Sequence, residues 1–395
     1  MTSQSPPPEP LAAQQPAWDG HPDIEPVRRT LARLPELVRP WEIHALLRAL
    51  ARVESGAALL LHVGECAELF SMADAVHVDR RLLLYRRLSD RLADRTGREV
   101  VLLARMAGQH AKPRSLPYET LPDGSRVSTY RGDAVNDRAA SSAARMPVPA
   151  RLLESYRHSH STLDHLRRHV YLGRPVFVSH EALLRDYEAP LTRDHGTRYA
   201  TSAHLVWIGD RTRDPDDWHV RWAASIGNPV AVKLGPSTDE RRLASLARLL
   251  NHPGRPGRLG LIARMGIGRI DRLPALVRAV RDSGAPALWV CDPMHGNTIK
   301  AGARKTRLLR DMCDEITAFV STMREAGGHP GGLHLEVTPD MVQECHTDRP
   351  PDAAAGAEPP CDPRLNPDQA TAVVDHFADR FLGLSLVSAA VSRGR

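Results

Sequence analysis

The amino-acid sequence predicts an α/β chain folded as a single (β/α)8 barrel, a TIM barrel, on three observations. Eight short apolar runs occur along it, helical patterns separate them, and nearly every run ends in a cluster of reactive residue types. The runs are 57–63, 100–105, 175–179, 204–208, 230–234, 259–264, 287–291 and 332–336. Most are continuously apolar, as expected of parallel strands buried on both faces. Strand–helix alternation of this length fits a closed barrel or, as second choice, a doubly wound open sheet. The strand ends favour the barrel. An open sheet decorates only the strands beside its crevice, whereas a closed barrel brings all eight ends to one mouth.

In chain order, residues 1–39 are proline-rich and read as a flexible N-terminal arm with a short helix near 27–37. Residues 40–395 read as the barrel domain, including the 109–174 insertion and a C-terminal helix. WEIHALLRALAR (41–52) has the spacing of an amphipathic helix, and 79–96, 237–251, 272–283 and 303–326 read as helices between strands. The link between the second and third strands holds a polar stretch at 111–142 and a helical pattern at 148–168. Connections of that length inside a compact domain are usually lids or binding loops. The segment after the eighth strand is irregular, with a Pro/Ala-rich bulge at 349–360.

Composition narrows the function classes. Of 395 residues, 42% are hydrophobic and 25% charged, ordinary for a globular protein. No apolar run approaches the roughly 18–20 residues of a membrane span. Residues 1–20 lack the basic start and apolar core of a targeting peptide, so a cytoplasmic location is expected. Five scattered cysteines do not form a disulfide framework and read as buried thiols, ligands or nucleophiles. The net charge of +6 suggests anionic partners. Basic residues are not gathered in one stripe and only 5% of residues are aromatic, so nucleic acid is not expected. A homo-oligomer is.

Cys66, His295, Glu336 and Asp362 fall at the ends of strands one, seven and eight and just beyond. Each alone has an ordinary reading: a small buried hydrophobe, a satisfied histidine, two solvated carboxylates. Closing the barrel makes strands one and eight neighbours and gives the four a meeting place. One thiolate, one imidazole and two carboxylates suit a borderline divalent ion and are too soft to favour Ca²⁺.

Arg105, Lys112, Arg114, Arg211, Arg213, Lys233 and Arg264 also fall at or just after strand ends. Arginine is abundant here, so some would do so by chance. Lysine is not: Lys112 and Lys233 are two of four lysines among 53 basic residues. Lys300 and Lys305 read as incidental. Cations converging on one pocket repel unless the ligands carry several negative charges, which points to phosphorylated substrates. In RMAGQHAKPRS (105–115), Gly108 permits a tight turn and Pro113 stiffens the loop that presents Lys112 and Arg114.

Nine segments carry a family resemblance. GECAELF (64–70), RMAGQHAKPRS (105–115), SHEALLRDYE (179–188), WIGDRTR (207–213), NPVAVKLGP (228–236), LIARMG (261–266), CDPMHGNT (291–298), HLEVTPDMVQEC (334–345) and CDPRLN (361–366) resemble the class II 3-deoxy-D-arabino-heptulosonate 7-phosphate (DAHP) synthases. The resemblance runs in unbroken order from Gly64 to about Gln369 and implies a (β/α)8 barrel. It implies condensation of phosphoenolpyruvate with erythrose 4-phosphate and water to DAHP and phosphate, the first step of the shikimate pathway to aromatic compounds. Cys66, His295, Glu336 and Asp362 would be the metal ligands, for Mn²⁺ or Co²⁺ foremost, with Zn²⁺, Fe²⁺ or Mg²⁺ as alternatives.

By the same resemblance, Arg105, Lys233 and Arg264 would clamp phosphoenolpyruvate, with Arg211 nearby. Lys112, Arg114 and Ser115 would hold the aldose phosphate, and Lys112 would give a proton to the nascent alkoxide. The metal would act as a Lewis acid on the aldehyde oxygen or order a water. At Asp210, expected to be catalytic and substrate-binding, the family motif carries Glu. One methylene less draws the carboxylate back by about 1.5 Å, tolerable for a group that orients a water or braces a basic residue. The short chain suggests a member serving secondary metabolism. Two alternatives are a synthase for an amino or imino sugar phosphate and a catalytically weakened regulatory homologue. Cys361, beside Asp362, is expected close to Cys66.

Overall fold

The computed structural model describes residues 10–121, 123–168, 175–251, 253–302, 304–348 and 362–384. Eight parallel strands close into one barrel, each on one of the eight apolar runs. They are β1 (Ala58–Gly64), β2 (Glu99–Arg105), β3 (Phe177–Glu181), β4 (Leu205–Ile208), β5 (Val230–Leu234), β6 (Leu259–Ala263), β7 (Leu288–Cys291) and β8 (Pro330–Glu336). Every strand pairs with its sequence neighbours, and β8 pairs with β1 to close the ring. Register brings Gly64 opposite Arg105 on one side and opposite Glu336 on the other. Gly64 has φ +154°, and a Cβ there would lie 2.6 Å from Arg105 atoms. A side chain at that position would thus push Arg105 out of the mouth.

Ten helices are described: α1 (Ile24–Arg33), α2 (Pro40–Glu54), α3 (Ala75–Thr96), α4 (Arg151–Arg168), α5 (Arg185–Glu188), α6 (Trp218–Ser225), α7 (Glu240–Leu250), α8 (Leu273–Asp282), α9 (Leu309–Glu325) and α10 (Pro367–Leu382). Their ends follow from local chemistry. Asp74 accepts from the His77 N–H to start α3, and left-handed Gly97 stops it. An Asn366/Gln369 capping box starts α10. The apolar stripe of α2 turns Leu46, Leu50 and Val53 into the base of the barrel, against Leu60, Val101, Leu103, Leu205, Ile262, Leu288 and Val290. A second, larger core lies between the strands and the outer helices.

Residues 10–39 do more than their proline content suggests. Trp18, Ile24, Val27, Leu31, Leu37 and Val38 are buried in the outer core. The Trp18 indole N–H donates to Asp186 Oδ2 at 2.7 Å. Within the long 109–174 link, α4 lies on the expected helical pattern, and a hairpin (Tyr118–Thr120 with Arg126–Ser128) precedes it.

One expected helix is corrected. Helix α9 begins at Leu309 rather than near 303, because Arg304–Leu308 is a strand, antiparallel to Ile299–Ala301 and parallel to Cys345–His346. Strand alternation sends Lys305 and Arg307 to one face, toward Asp362 and Glu336; a helix would turn them to nearly opposite sides. The bulge at 349–360 and Cys361 lie outside the described residues. No described helix is long and apolar enough to cross a membrane.

Candidate active site and metal centre

The mouth of the barrel is a polar layer above the apolar plug. Cys66 stands two residues past the end of β1, Glu336 ends β8, and His295 opens a single 3-10 turn (His295–Asn297) after β7. Asp362 is brought in by a parallel bridge between Val337 and Leu365. Ligand atoms of Cys66, Glu336 and Asp362 lie within 4.8 Å of one another. His295 Nε2 lies 2.9 Å from Glu336 Oε1. His295 thus joins the other three candidate ligands through Glu336.

Lys112 already reaches into this group: its Nζ donates to Cys66 Sγ at 3.1 Å and to Asp362 Oδ2 at 2.5 Å. Lys305 Nζ donates to Asp362 Oδ1 at 2.8 Å. A thiol, an imidazole and two carboxylates that gather cations form a donor set that fits a borderline divalent ion.

Asp292 orients the histidine. Its Oδ2 lies 2.7 Å from His295 Nδ1, which leaves Nε2 facing Glu336, and its Oδ1 accepts from the Met294 and His295 N–H groups at 3.1 Å. This is the carboxylate–histidine arrangement that fixes the tautomer of a metal-binding imidazole. Asp292 and His295 also group with His334 within 4.8 Å, but Asp292 Oδ2 in addition accepts from Lys233 Nζ at 3.1 Å.

Burial alone would raise the acids of this cluster. For Glu336, His295, Arg307 and Arg105 outweigh it and hold the carboxyl well below its usual range. His295 and Lys233 do the same for Asp292. Asp362 is likewise held down, chiefly by Lys112. These acids are ionised wherever the protein is folded near neutral pH.

The adjoining arc of the mouth is cationic. Arg105 is 2% exposed; its Nη2 donates to Glu336 at 3.2 Å, while Nε and Nη1 have no hydrogen-bond partner among the described residues. Its guanidinium stands 5.4 Å from the Trp207 ring centroid. Lys233 ends β5 one residue early, and burial together with the Arg105 and Arg264 charges lowers its pKa despite Asp292. Burial weighs most in that shift, and the crowding of like charges adds to it.

Arg264 donates to Asp210 Oδ2 and to the His295 carbonyl, both at 3.3 Å. Asp210 Oδ1 accepts from Arg213 Nε at 2.8 Å, so Asp210 braces two guanidinium groups. Arg211 Nη2 donates to Ser115 Oγ at 2.6 Å, bringing the loop after β4 to the loop after β2. Arg114 is not brought into this arc as directly. Its Nη2 lies 3.8 Å from Glu119 of the hairpin, while its N–H donates to Gln14 Oε1 at 3.0 Å.

Several residues at the mouth escaped the sequence reading. Arg307, fully buried, donates from Nη1 to Glu336 Oε2 and to the Pro363 carbonyl, both at 2.6 Å, and was hidden by the helical pattern around it. Lys305, read as incidental, holds Asp362. Asp292 stands in the CDPMH segment, and its position at a strand end was the available signal. His62 and His334 lie beneath the layer with Nδ1 atoms 2.9 Å apart, held neutral by burial and by Arg105 and Lys233. Glu181 ends β3 with Oε1 buried and unpartnered among the described residues; burial raises its pKa, while Lys233, Lys112, Arg105 and Arg211 pull it back.

Comparison with known proteins agrees with this architecture. The model of the Class-II DAHP synthetase family matches residues 8–174 and 169–378. A Pseudomonas fluorescens protein named "Probable phospho-2-dehydro-3-deoxyheptonate aldolase" is 41% identical over 375 residues, spanning 92% of this chain and 94% of its own. The phospho-2-dehydro-3-deoxyheptonate aldolase of Streptomyces coelicolor is 38% identical over 423 residues, spanning 91% and 92%. In fold alone, the chain is similar to a solved phospho-2-dehydro-3-deoxyheptonate aldolase from Francisella tularensis SCHU S4. That match has a TM-score of 0.55 and 12% identity, covering 91% of this chain and 96% of that one.

Proposed function

Because the chain belongs to the Class-II DAHP synthetase family, we propose that it condenses phosphoenolpyruvate with erythrose 4-phosphate and water, giving DAHP and phosphate. The observation that carries this reading is Arg105, a buried guanidinium whose Nε and Nη1 are unpartnered among the described residues, beside the thiol–carboxylate cluster. An anion site abutting a cation site is what the two substrates require: one end binds phosphate and carboxylate, the other polarises an aldehyde.

Arg105, Lys233 and Arg264 hold phosphoenolpyruvate, with Arg264 aimed by Asp210. Arg211, Ser115 and Arg114 receive the phosphate of the aldose on the neighbouring arc. Fixing both anions side by side offsets their repulsion and supplies the proximity a carbon–carbon bond requires. C3 of the enol then attacks the aldehyde carbon, positive charge develops at C2, water adds there, and phosphate leaves. Lys112 Nζ, already beside Cys66 and Asp362, protonates the new alkoxide. A divalent ion, Mn²⁺ or Co²⁺ foremost, held by Cys66, His295, Glu336 and Asp362, supplies Lewis acidity toward the aldehyde oxygen when bound.

The test is product identification. Purified protein with Mn²⁺, phosphoenolpyruvate and erythrose 4-phosphate should yield a seven-carbon phosphorylated keto acid by mass spectrometry, with one phosphate released per phosphoenolpyruvate consumed. Turnover only with an amino sugar phosphate would replace the acceptor. No turnover with either would leave a regulatory homologue.

A further inference from the structure

Behind the mouth, one buried carboxylate belongs to neither the metal cluster nor the anion arc. Glu315 sits on α9 at 0% exposure, among the apolar neighbours Met312, Ile316 and Phe319. A leucine there would serve packing as well, and an uncompensated buried carboxylate is costly. Its two oxygens face two different loops. Oε1 accepts from the Gly266 N–H at 2.9 Å, and Oε2 accepts from Asn297 Nδ2 at 2.7 Å. Asn297 crosses the same gap with its other end, where Oδ1 accepts from the Ile267 N–H at 2.9 Å.

The two loops are also in backbone contact. A Cβ on Gly266 (φ +75°) would lie 2.5 Å from the Gly296 carbonyl oxygen, and one on Gly296 would lie 2.2 Å from the Gly266 nitrogen. The first loop begins with Arg264 and the second contains His295, and Arg264 Nη2 donates directly to the His295 carbonyl.

We propose that Glu315 and Asn297 are positioning residues that lock the Arg264 loop to the His295 loop, so that metal held at His295 tightens phosphoenolpyruvate binding at Arg264. This rests on the functional reading above. Each carboxyl oxygen of Glu315 accepts one N–H, one from each loop, so Glu315→Gln keeps the shape but turns an N–H against one of the loops. The clamp acts on the phosphoenolpyruvate side, since Lys112–Ser115 and Arg211 belong to other loops that Glu315 and Asn297 do not bond, although Arg264 touches the Arg211 loop through Asp210.

The experiment is calorimetric titration of phosphoenolpyruvate into the full-length chain, with and without saturating Mn²⁺, for the native sequence, Glu315→Gln and Asn297→Ala. The native chain should bind phosphoenolpyruvate about tenfold more tightly with Mn²⁺, within the usual range of coupling between sites. In either variant that factor should fall below about twofold, and amide exchange at 264–267 should accelerate in the metal-free protein. The KM for the aldose phosphate should be unchanged. If one variant fails to fold, the other carries the same expectation. Native-like coupling in a folded variant overturns the clamp. If the native chain binds no phosphoenolpyruvate with or without Mn²⁺, the functional reading itself fails.

Discussion

The two ends of this barrel are built from the same eight strands and share almost no chemistry. At the base, α2 seals the interior with Leu46, Leu50 and Val53 against aliphatic strand residues. At the mouth, at or just past the far ends of the strands, Arg105, Lys233, Asp292 and Glu336 are buried almost as completely. The base repays burial through apolar area and the mouth through pairing of charges. Within the mouth the pairing is uneven. Asp292, Glu336 and Asp362 are each held by fixed cations, whereas Arg105 keeps Nε and Nη1 unpartnered among the described residues. Spare buried donors of this kind suit an anionic ligand.

That contrast can be broken by removing one group at each end. The largest effect is expected from Cys66→Ala, which deletes a candidate ligand. Turnover should fall about a thousandfold, the size of several kcal/mol of lost charge stabilisation, with the melting temperature nearly unchanged. Leu50→Ala should do the reverse, costing about 2–5 kcal/mol in denaturant unfolding while KM for both substrates stays constant. If Leu50→Ala instead changed KM severalfold, base and mouth would not be separable.

Arg105→Met leaves Glu336 with Arg307 and His295 and removes the unpartnered donors. Its kcat/KM for phosphoenolpyruvate should fall about a hundredfold, as loss of charge-assisted hydrogen bonds at a buried site implies. An unchanged value would remove the observation on which the anion pocket stands.

A pH titration sharpens the comparison from the base side. His204, at the foot of β4, accepts the Val178 N–H at 3.0 Å, and burial lowers its pKa from 6.5 to about 4. A histidine depressed in the folded state takes up its proton more readily when unfolded. Stability is therefore full above the unfolded pKa and is lost as pH falls below it toward the folded value. The share of that loss due to His204 between about pH 7 and about pH 5 should be about 2 kcal/mol. His204→Asn, which can still accept from Val178, should reduce that slope by this share, the other buried histidines keeping theirs. The smallest effect belongs to Asp210→Asn, where partial exposure screens the bracing of Arg264 and Arg213; kcat/KM should drop about fivefold.

The fold was legible because buried parallel strands write themselves as apolar runs, and all eight were found. The candidate ligands were legible because strand ends in a closed barrel have one destination. What escaped did so for physical reasons. The basic–apolar spacing around Arg307 suits helix and strand alike, and only pairing with Cys345–His346 decides it. Glu315 reads as a solvated helix face until the loops it bonds are folded over it. His62 is a single polar letter inside an apolar strand, and its partner His334 is on β8, beside it only after closure.

The most direct measurement follows phosphoenolpyruvate consumption and phosphate release with erythrose 4-phosphate before chelation, after chelation, and after Mn²⁺ or Co²⁺ is restored. Equal consumption and release, abolished by the chelator and recovered with the metal, is the expected result. Turnover that survives complete removal of divalent ions would contradict a metal centre at Cys66, His295, Glu336 and Asp362.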